Sequence, residues 1–441
     1  MNLISSRINI FILGNGFDLN LGLKSSIHDF IIAKFFKNKR EYFNEMFKRY
    51  EKNNHDPIFL FLSLVFHDKK FINHDEFLQK FHENYFIFAY IWVNFGNFIK
   101  NKCQNFDNWT WSNVESFLRR IVKLKQIFAD YNYGGLIELN GSLKNSINHW
   151  HDNSSQNVSC FNVTINGYNE IINLLGKLLN SQNKFLSFLD EAVTFFEKDF
   201  NDYLIKIIDE KDSNNEIFNY KLQKYLACLF YHFSSLSQSD TFYCLSFNYT
   251  KPDHVEIDKI IKQKYPGLHL NIFCHNIHGS IKKDCNSESP PIIFGIDDSE
   301  NISGSTEFIK SYKIAKLRSK IGPNNYMVLP ACECDILNIY FYGHSLSKND
   351  YSYFQAIFDK FNLYSNKVIL HFVYPCDPNS MNSSNYCDFK NIYNLIHMYG
   401  KSLDNKDKGN NLFSKLLLED RLKIHFINWS ELLRKLNKTN I

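Results

Sequence analysis

The sequence predicts an α/β fold, a doubly wound parallel sheet with a large α-helical insertion after its first strand. Three observations carry this. Residues 8–13 (INIFIL) form a nearly unbroken apolar, β-prone run that ends in Gly14-Asn15-Gly16-Phe17-Asp18. A strand buried on both faces needs such a run, and closely spaced glycines at its end can bring backbone N–H groups up to a phosphate. Residues 27–236 carry apolar residues at three- and four-residue spacing, as helices do. From Asp240 onward, short β-prone runs alternate with helical stretches, which is the pattern of βαβ units and a parallel sheet.

Each element follows in order. After the glycine turn, Ser25 or Ser26 caps a helix, with Asp29 in capping-box position relative to Ser26. Helical patterns then cover 27–36, 41–50, 77–100, 111–130, 165–180 and 184–208, separated by polar loops such as 140–159. The later β-prone runs are TFYCLSFNY, LHLNIFCHNIHG, PPIIFG, ILNIYFYGHSL, NKVILHFVYP and LKIHFINW. Helical patterns at 255–264, 307–320, 350–361, 389–399 and 430–436 lie between or after them. The division this implies is an α/β nucleotide-binding unit made of 1–26 and 237–441, with 27–236 as an inserted α-helical domain.

Composition limits the function classes. The formal charge of +4 over 441 residues is too small to mark a nucleic-acid binder, so nucleic acid is not an expected partner. The basic stretch 310–320 (KSYKIAKLRSK) reads as a solvated helix face in preference to a phosphate-contacting patch. The first apolar run is too short for a secretory signal, and no stretch reaches the roughly 20 apolar residues that span a bilayer. Residues 59–66 (FLFLSLVF) come closest and read as a buried helix. The ten cysteines include no CxxC pair and one CxC, Cys332 and Cys334. This usage fits free thiols in a reducing cytoplasm and gives no spacing for a metal site. The expectation is a cytoplasmic protein with no membrane partner and no bound metal.

Candidate chemistry sits at strand ends, because ligands of open α/β sheets bind outside the carboxyl ends of the strands. Gly14 to Asp18 follow the first strand, Asn248-Tyr249-Thr250 the second, His275 to Ser280 the third, and Gly343-His344-Ser345 the fifth. Taken singly, each has a plainer reading. The GNG turn lacks the third glycine of a dehydrogenase fingerprint, since position 19 is Leu. Asn248 alone reads as a turn residue, and His278 before glycine as a structural histidine. Gly343-His344-Ser345 is half of a nucleophile elbow and lacks the closing glycine. Their joint placement on successive strand ends is what points to one site.

The segments ILGNGFDLNLGLKSSIHDF (12–30), DNWTWSNVESFL (107–118), SFNYT (246–250), IHGS (277–280), IIFGIDD (292–298) and IYFYGHSLSKNDYSYFQAIF (339–358) resemble the AbiH family of bacterial abortive-infection proteins, in the family's order. The order of Gly-x-Gly turn, Asn after a strand, His-Gly and Gly-x-Ser-Leu is also similar to the sirtuin-type NAD-binding fold. That resemblance implies a Rossmann-like, sirtuin-like sheet. It also implies that Gly14 and Gly16 hold a pyrophosphate, that Asn248 sits by the nicotinamide ribose and its attacking water, and that His278 is a general base near the ribose hydroxyls. Gly343 and Ser345 would contact the adenosine half. Asn15, Phe17, Asp18, Tyr249, His344 and Asp350 join them as nucleotide-binding residues. Asp18 and Asp350 either orient His278, bond a ribose hydroxyl or cap helices. The chain departs from deacetylating sirtuins in carrying Thr250 in place of an Asp and in lacking a four-Cys zinc module, which brings it nearer to zinc-free sirtuin-like NAD hydrolases.

The function this implies is an antiphage effector that hydrolyses NAD, with NAD as substrate. A regulatory partner or self-assembly into a homo-oligomer would hold the toxic activity in check. The alternative is a nucleotide-sensing or partner-binding defence module without turnover; a nuclease toxin is disfavoured by the missing acidic metal cluster. Trp109, Trp111 and Glu115 read as core packing or a domain contact.

Overall fold

The computed structural model describes residues 7–31, 33, 182–210, 217–235, 240–268, 270–282, 292–297, 306–321, 328–330, 336–365, 367–376 and 389–438. Its centre is a six-stranded, all-parallel sheet of β1 (Arg7–Leu13), β2 (Thr241–Ser246), β3 (Asn271–Asn276), β4 (Ile336–Tyr342), β5 (Val368–Pro375) and β6 (Leu422–Ile427), in the spatial order β3-β2-β1-β4-β5-β6. Ile10 lies in register with Tyr243 on one side and Ile339 on the other. This is the doubly wound Rossmann order, and it reverses direction between β1 and β4. The central strands β1 and β4 are the most apolar because both of their faces are covered, and the edge strands β3 and β6 are half-exposed.

Alternation along β1 assigns the two faces. Ile8, Ile10 and Ile12, with Ile339, Phe341, Leu370 and Phe372, join one core with Phe354, Phe358, Leu395 and Leu412. These last four come from α7 (Tyr351–Lys360), α8 (Phe389–Ser402) and α9 (Lys406–Leu418), once the earlier helices α1 (Asn15–Asn20), α2 (Ile27–Ile31), α3 (Gln182–Asp209), α4 (Phe218–Phe233), α5 (His254–Lys264) and α6 (Lys310–Ile321) are counted; α10 (Trp429–Lys438) closes the chain. On the other face, Phe11 stacks on Tyr340 at 4.4 Å and meets Phe230 at 5.1 Å, while Phe233 lies 4.5 Å from Tyr340. Phe11 is fully buried, a gain of about 1.5–3 kcal/mol for each such side chain. The covering layer of this face, α4, thus comes from the stretch that the sequence assigns to the insertion.

Beside these rings a polar file crosses the sheet. His371 Nδ1 lies 2.8 Å from His425 Nε2, and His371 Nε2 lies 3.0 Å from the amide of Asn338, which in turn bonds the Asn9 amide. Burial, with His425, Lys423 and Arg7 nearby, pushes His371 down to about 3.

The start of the second helix follows the sequence reading: Asp29 N–H donates to Ser26 Oγ at 3.0 Å, and Ser26 Oγ donates to Asp29 Oδ2 at 2.5 Å. Ser25 instead donates to Asn15 Oδ1 at 2.7 Å, tying the glycine turn to the chain that leaves it. The expected strand PPIIFG is not part of the sheet. Ile292 and Ile296 make isolated bridges to Gly279 and Ile309, so ILNIYFY is the fourth strand and not the fifth. Pro290 and Pro291 have no N–H to give a ladder. Helix α9 was not expected from the sequence. The helical patterns at 41–50, 77–100, 111–130 and 165–180, the loop 140–159, the run 59–66, Trp109, Trp111, Glu115 and the Cys332–Cys334 pair lie outside the described residues. No described helix is long and apolar enough to cross a membrane.

Candidate functional site

Because all six strands run the same way, their carboxyl ends form one rim, and the reversal between β1 and β4 opens a crevice there. The glycine turn occupies its floor. Gly14 N–H donates to Tyr342 O at 2.9 Å, Gly16 N–H to Gly343 O at 2.8 Å and Phe17 N–H to Gly14 O at 2.9 Å. A Cβ on Gly14 or Gly16 would lie 2.5 or 2.7 Å from Gly343 O, and one on Gly343, whose φ is +65°, would lie 2.1 Å from Phe17 N. Small residues are needed here because the loops after β1 and β4 touch backbone to backbone.

Above this contact, two histidines share one carboxylate. Asp350 Oδ1 lies 3.4 Å from His278 Nε2, and Oδ2 lies 3.4 Å from His344 Nε2. Lys310 Nζ completes the cluster, donating to Asp350 Oδ1 at 2.7 Å and to Asn349 O at 3.1 Å. His344 Nδ1 accepts the Leu346 N–H at 3.1 Å, which places its proton on Nε2, toward Asp350. Leu346 takes a left-handed φ of 54° to make that bond, a local strain held by the surrounding packing. The Phe247 ring stands edge-on to both imidazoles, at 5.2 Å from His278 and 5.0 Å from His344. Burial opposes charge on Asp350, yet Lys310 and the two histidines more than offset it and hold the carboxyl well below the usual carboxylate range. Burial and the Lys310 ammonium push His278 down to about 3, against the pull of Asp350, so His278 is neutral near pH 7.

A second polar group sits at the ends of β1 and β2. Thr250 Oγ1 donates to Asp18 Oδ2 at 2.8 Å. The Asn248 backbone is fixed: Ser246 Oγ lies 3.3 Å from its N–H, and Asn276 Nδ2 donates to Asn248 O at 2.9 Å and to Thr250 O at 2.7 Å. The side chain is not. Among the described residues neither polar atom of Asn248 nor Asp18 Oδ1 makes a well-formed hydrogen bond, although Asn248 and Asp18 are only 4 % and 1 % exposed; the Asn248 amide still lies near enough to favour the Asp18 charge, and His278 Nε2 meets Asp350 at 3.4 Å. A buried polar atom without a partner costs about 1–3 kcal/mol, so Asn248 and Asp18 are groups that a ligand at this rim could satisfy. Burial raises Asp18 to about 7, although Thr250 and Asn248 favour its charged form. The two carboxyls of the rim are thus driven in opposite directions, Asp350 toward charge and Asp18 toward its neutral form. A cleft of about 460 Å³ lies between α3, α4 and the segment after β2, lined by Ile208, Tyr220, Gln223, Lys251 and Ile281 and not by Asp18, Asn248, His278 or Asp350.

The remaining sequence-selected residues are placed as follows. Neither Asp18 nor Asp350 caps a helix: Asp18 lies inside α1, and Asp350 precedes α7 without a capping bond. Phe17 is core, edge-on to Tyr342 at 5.1 Å. Asn15 binds Ser25. Tyr249 donates to Ile293 O at 3.2 Å and packs against Phe200 of α3. Ser345 is exposed, and its carbonyl accepts from Asn391. The basic stretch 310–320 is mostly on the surface, but its first residue is not the solvated lysine the sequence suggested: Lys310 is 2 % exposed and paired with Asp350. Asn276, Asp297 and Thr250 were not selected as site residues. Asp297 accepts from both N–H and Oγ of Ser352 at the start of α7, and so anchors the loop that carries Asp350.

The parallel order and the polar side chains gathered at its reversal point define a Rossmann-like α/β protein of the kind that binds ligands at strand ends. Within that class, the chain belongs to the AbiH family: the family model described as bacteriophage abortive infection AbiH matches residues 10–372, which include Asp18, Asn248, His278, His344 and Asp350. No curated protein and no solved structure matches the chain. Membership places the protein in bacterial defence against phage by abortive infection.

Proposed function

We propose that this protein is an abortive-infection effector that hydrolyses NAD to ADP-ribose and nicotinamide, with Asn248 and His278 in the active site. The observation that carries the reading is the pair of buried side chains with unbonded polar atoms, Asn248 and Asp18, beside His278 at the switch point of a Rossmann-like sheet. Cleavage of the nicotinamide–ribose bond passes through a cationic sugar. It needs a positioned water, hydrogen bonds to the ribose and exclusion of bulk solvent. Asn248 has both a donor and an acceptor to offer, and neutral His278 has Nε2, its other ring nitrogen being engaged with the Phe247 backbone. The burial of these groups suits an effector held inactive until infection, and a partner protein or self-assembly would supply the control.

The test is nicotinamide release from NAD by the purified protein, alone and with phage-infected extract. Asn248→Ala and His278→Ala should each lower turnover by about 10²-fold or more while leaving the circular dichroism melt intact. A folded protein that releases no nicotinamide in any oligomeric or activated state refutes the hydrolase. In that case ADP-ribose or NAD binding by calorimetry, without product, would establish the nucleotide-sensing module instead.

A further inference from the structure

Hydrolysis leaves a proton to be removed from the attacking water, and the rim has an unexpected candidate for that work. His278 is poorly suited. It is buried beside the Lys310 ammonium's partner, and protonating it would set a second cation next to Lys310. Asp18 is placed differently. Its Oδ1 is buried without a well-formed hydrogen bond, its Oδ2 is held by Thr250, and the Asn248 amide lies beside it with no hydrogen bond to any other group among the described residues. Among the described residues the groups that favour its charge are the Thr250 hydroxyl and the Asn248 amide, both from the loop after β2, while the N–H groups of Leu21 and Leu23, after α1, donate to Asp18 O.

Resting on the hydrolase reading above, we propose that Asp18 is the general base of the reaction, taking the proton of a water held by Asn248 while Thr250 fixes the carboxylate. In the step, the C1′–N bond of the substrate breaks and its electron pair goes to the pyridinium ring, which leaves as neutral nicotinamide. The water oxygen forms the new bond to C1′, and one water proton passes to Asp18 Oδ1 and then to solvent. The substrate class is an N-ribosyl pyridinium, whose leaving group departs neutral and needs no general acid. Asp18 titrates near neutrality because it is buried and no cation among the described residues acts on it, so a large share of it is ionised at pH 7 and its conjugate acid is only weakly acidic. His278 then serves as a neutral hydrogen-bonding group toward the ribose.

The pH profile of kcat for wild type, Asp18→Asn, Thr250→Val and Thr250→Ser, with ADP-ribose binding measured alongside, tests this. Wild type should show an ascending limb near pH 7. Asp18→Asn should lose about 10²–10⁴-fold in kcat and still bind ADP-ribose. Thr250→Val removes a hydrogen bond that favours the carboxylate and should move the limb up by about one pH unit, with Thr250→Ser restoring it. A role in folding alone would not move that limb. If wild type turns over NAD but Asp18→Asn keeps its rate, or the limb stays in place in Asp18→Asn and Thr250→Val, the assignment of Asp18 fails and the hydrolase stands. If wild type releases no nicotinamide, the hydrolase reading fails and this assignment falls with it.

Discussion

Replacing Asp18 by Asn should stabilise the protein, and do so more as the pH rises. Asp18 is buried with one hydroxyl bonded to it, and its carboxyl titrates near 7 in place of its ordinary 3.8. The unfolded chain therefore releases this proton at lower pH than the folded one does. Between about pH 4 and pH 7 the folded state binds more protons, so stability falls as pH rises across that window and levels off above it. At about 1.36 kcal/mol per unit, the shift from 3.8 to about 7 amounts to a penalty of about 4 kcal/mol at pH 8 and about 1 kcal/mol at pH 4.5. Asparagine matches the neutral acid in shape, can accept the Thr250 hydroxyl and carries no such penalty. Urea unfolding of wild type and Asp18→Asn at both pH values measures the difference. A gain of several kcal/mol at pH 8 that shrinks by about 3 kcal/mol at pH 4.5 is expected. A variant that is less stable than wild type at pH 8, or a difference that does not vary with pH, would show that Asp18 is ionised and well solvated in the folded protein. Coupled with the expected loss of activity, a gain would mark Asp18 as a residue kept for function at the expense of stability.

Three further outcomes are expected. Lys310→Met leaves Asp350 buried without its cation and should cost about 3–5 kcal/mol in urea unfolding at pH 7, whereas a surface lysine would cost under 1 kcal/mol. Gly343→Ala puts a Cβ into the Phe17 backbone at a left-handed φ and should destabilise the fold by more than ~2 kcal/mol, read as a lower melting temperature; an unchanged melt would mean the β1 and β4 loops are not in contact. His371 titrates near 3 in the folded state against 6.5 unfolded, so its contribution is present above about pH 6.5 and is lost as the pH falls toward 3; His371→Gln should flatten the fall in urea midpoint between pH 7 and pH 5, and an unchanged slope would remove it from the acid response.

The sheet was legible because a parallel strand buried on both faces must be almost wholly apolar, and runs such as INIFIL and ILNIYFY satisfy that without any tertiary information. The capping serine was legible for a similarly local reason. PPIIFG misled because Ile292, Ile293 and Phe294 are buried, as strand residues are, while the two prolines before them cannot extend a ladder. Helix α9 was hidden by its start, NKDKGNN, which reads as a loop; Gly409 is there because the helix passes so close to α8 that a Cβ would meet Gly400 O at 2.1 Å. At the rim, Asn248, His278, His344 and Asp350 were readable as polar groups placed after strands. Their pairing was not. The partner of Lys310 is forty residues away in sequence, and a charged residue at the start of a basic stretch gives no sign that it is buried.

His278 follows β3 and His344 follows β4, and these strands are not neighbours; β2 and β1 lie between them. A single carboxylate nevertheless lies 3.4 Å from both imidazoles, so one residue spans the two banks of the crevice. Asp350 takes its charge from Lys310, so a ligand whose own negative charge competes for Lys310 would act on both banks at once. A molecule bearing a diphosphate would carry its own means of opening the door.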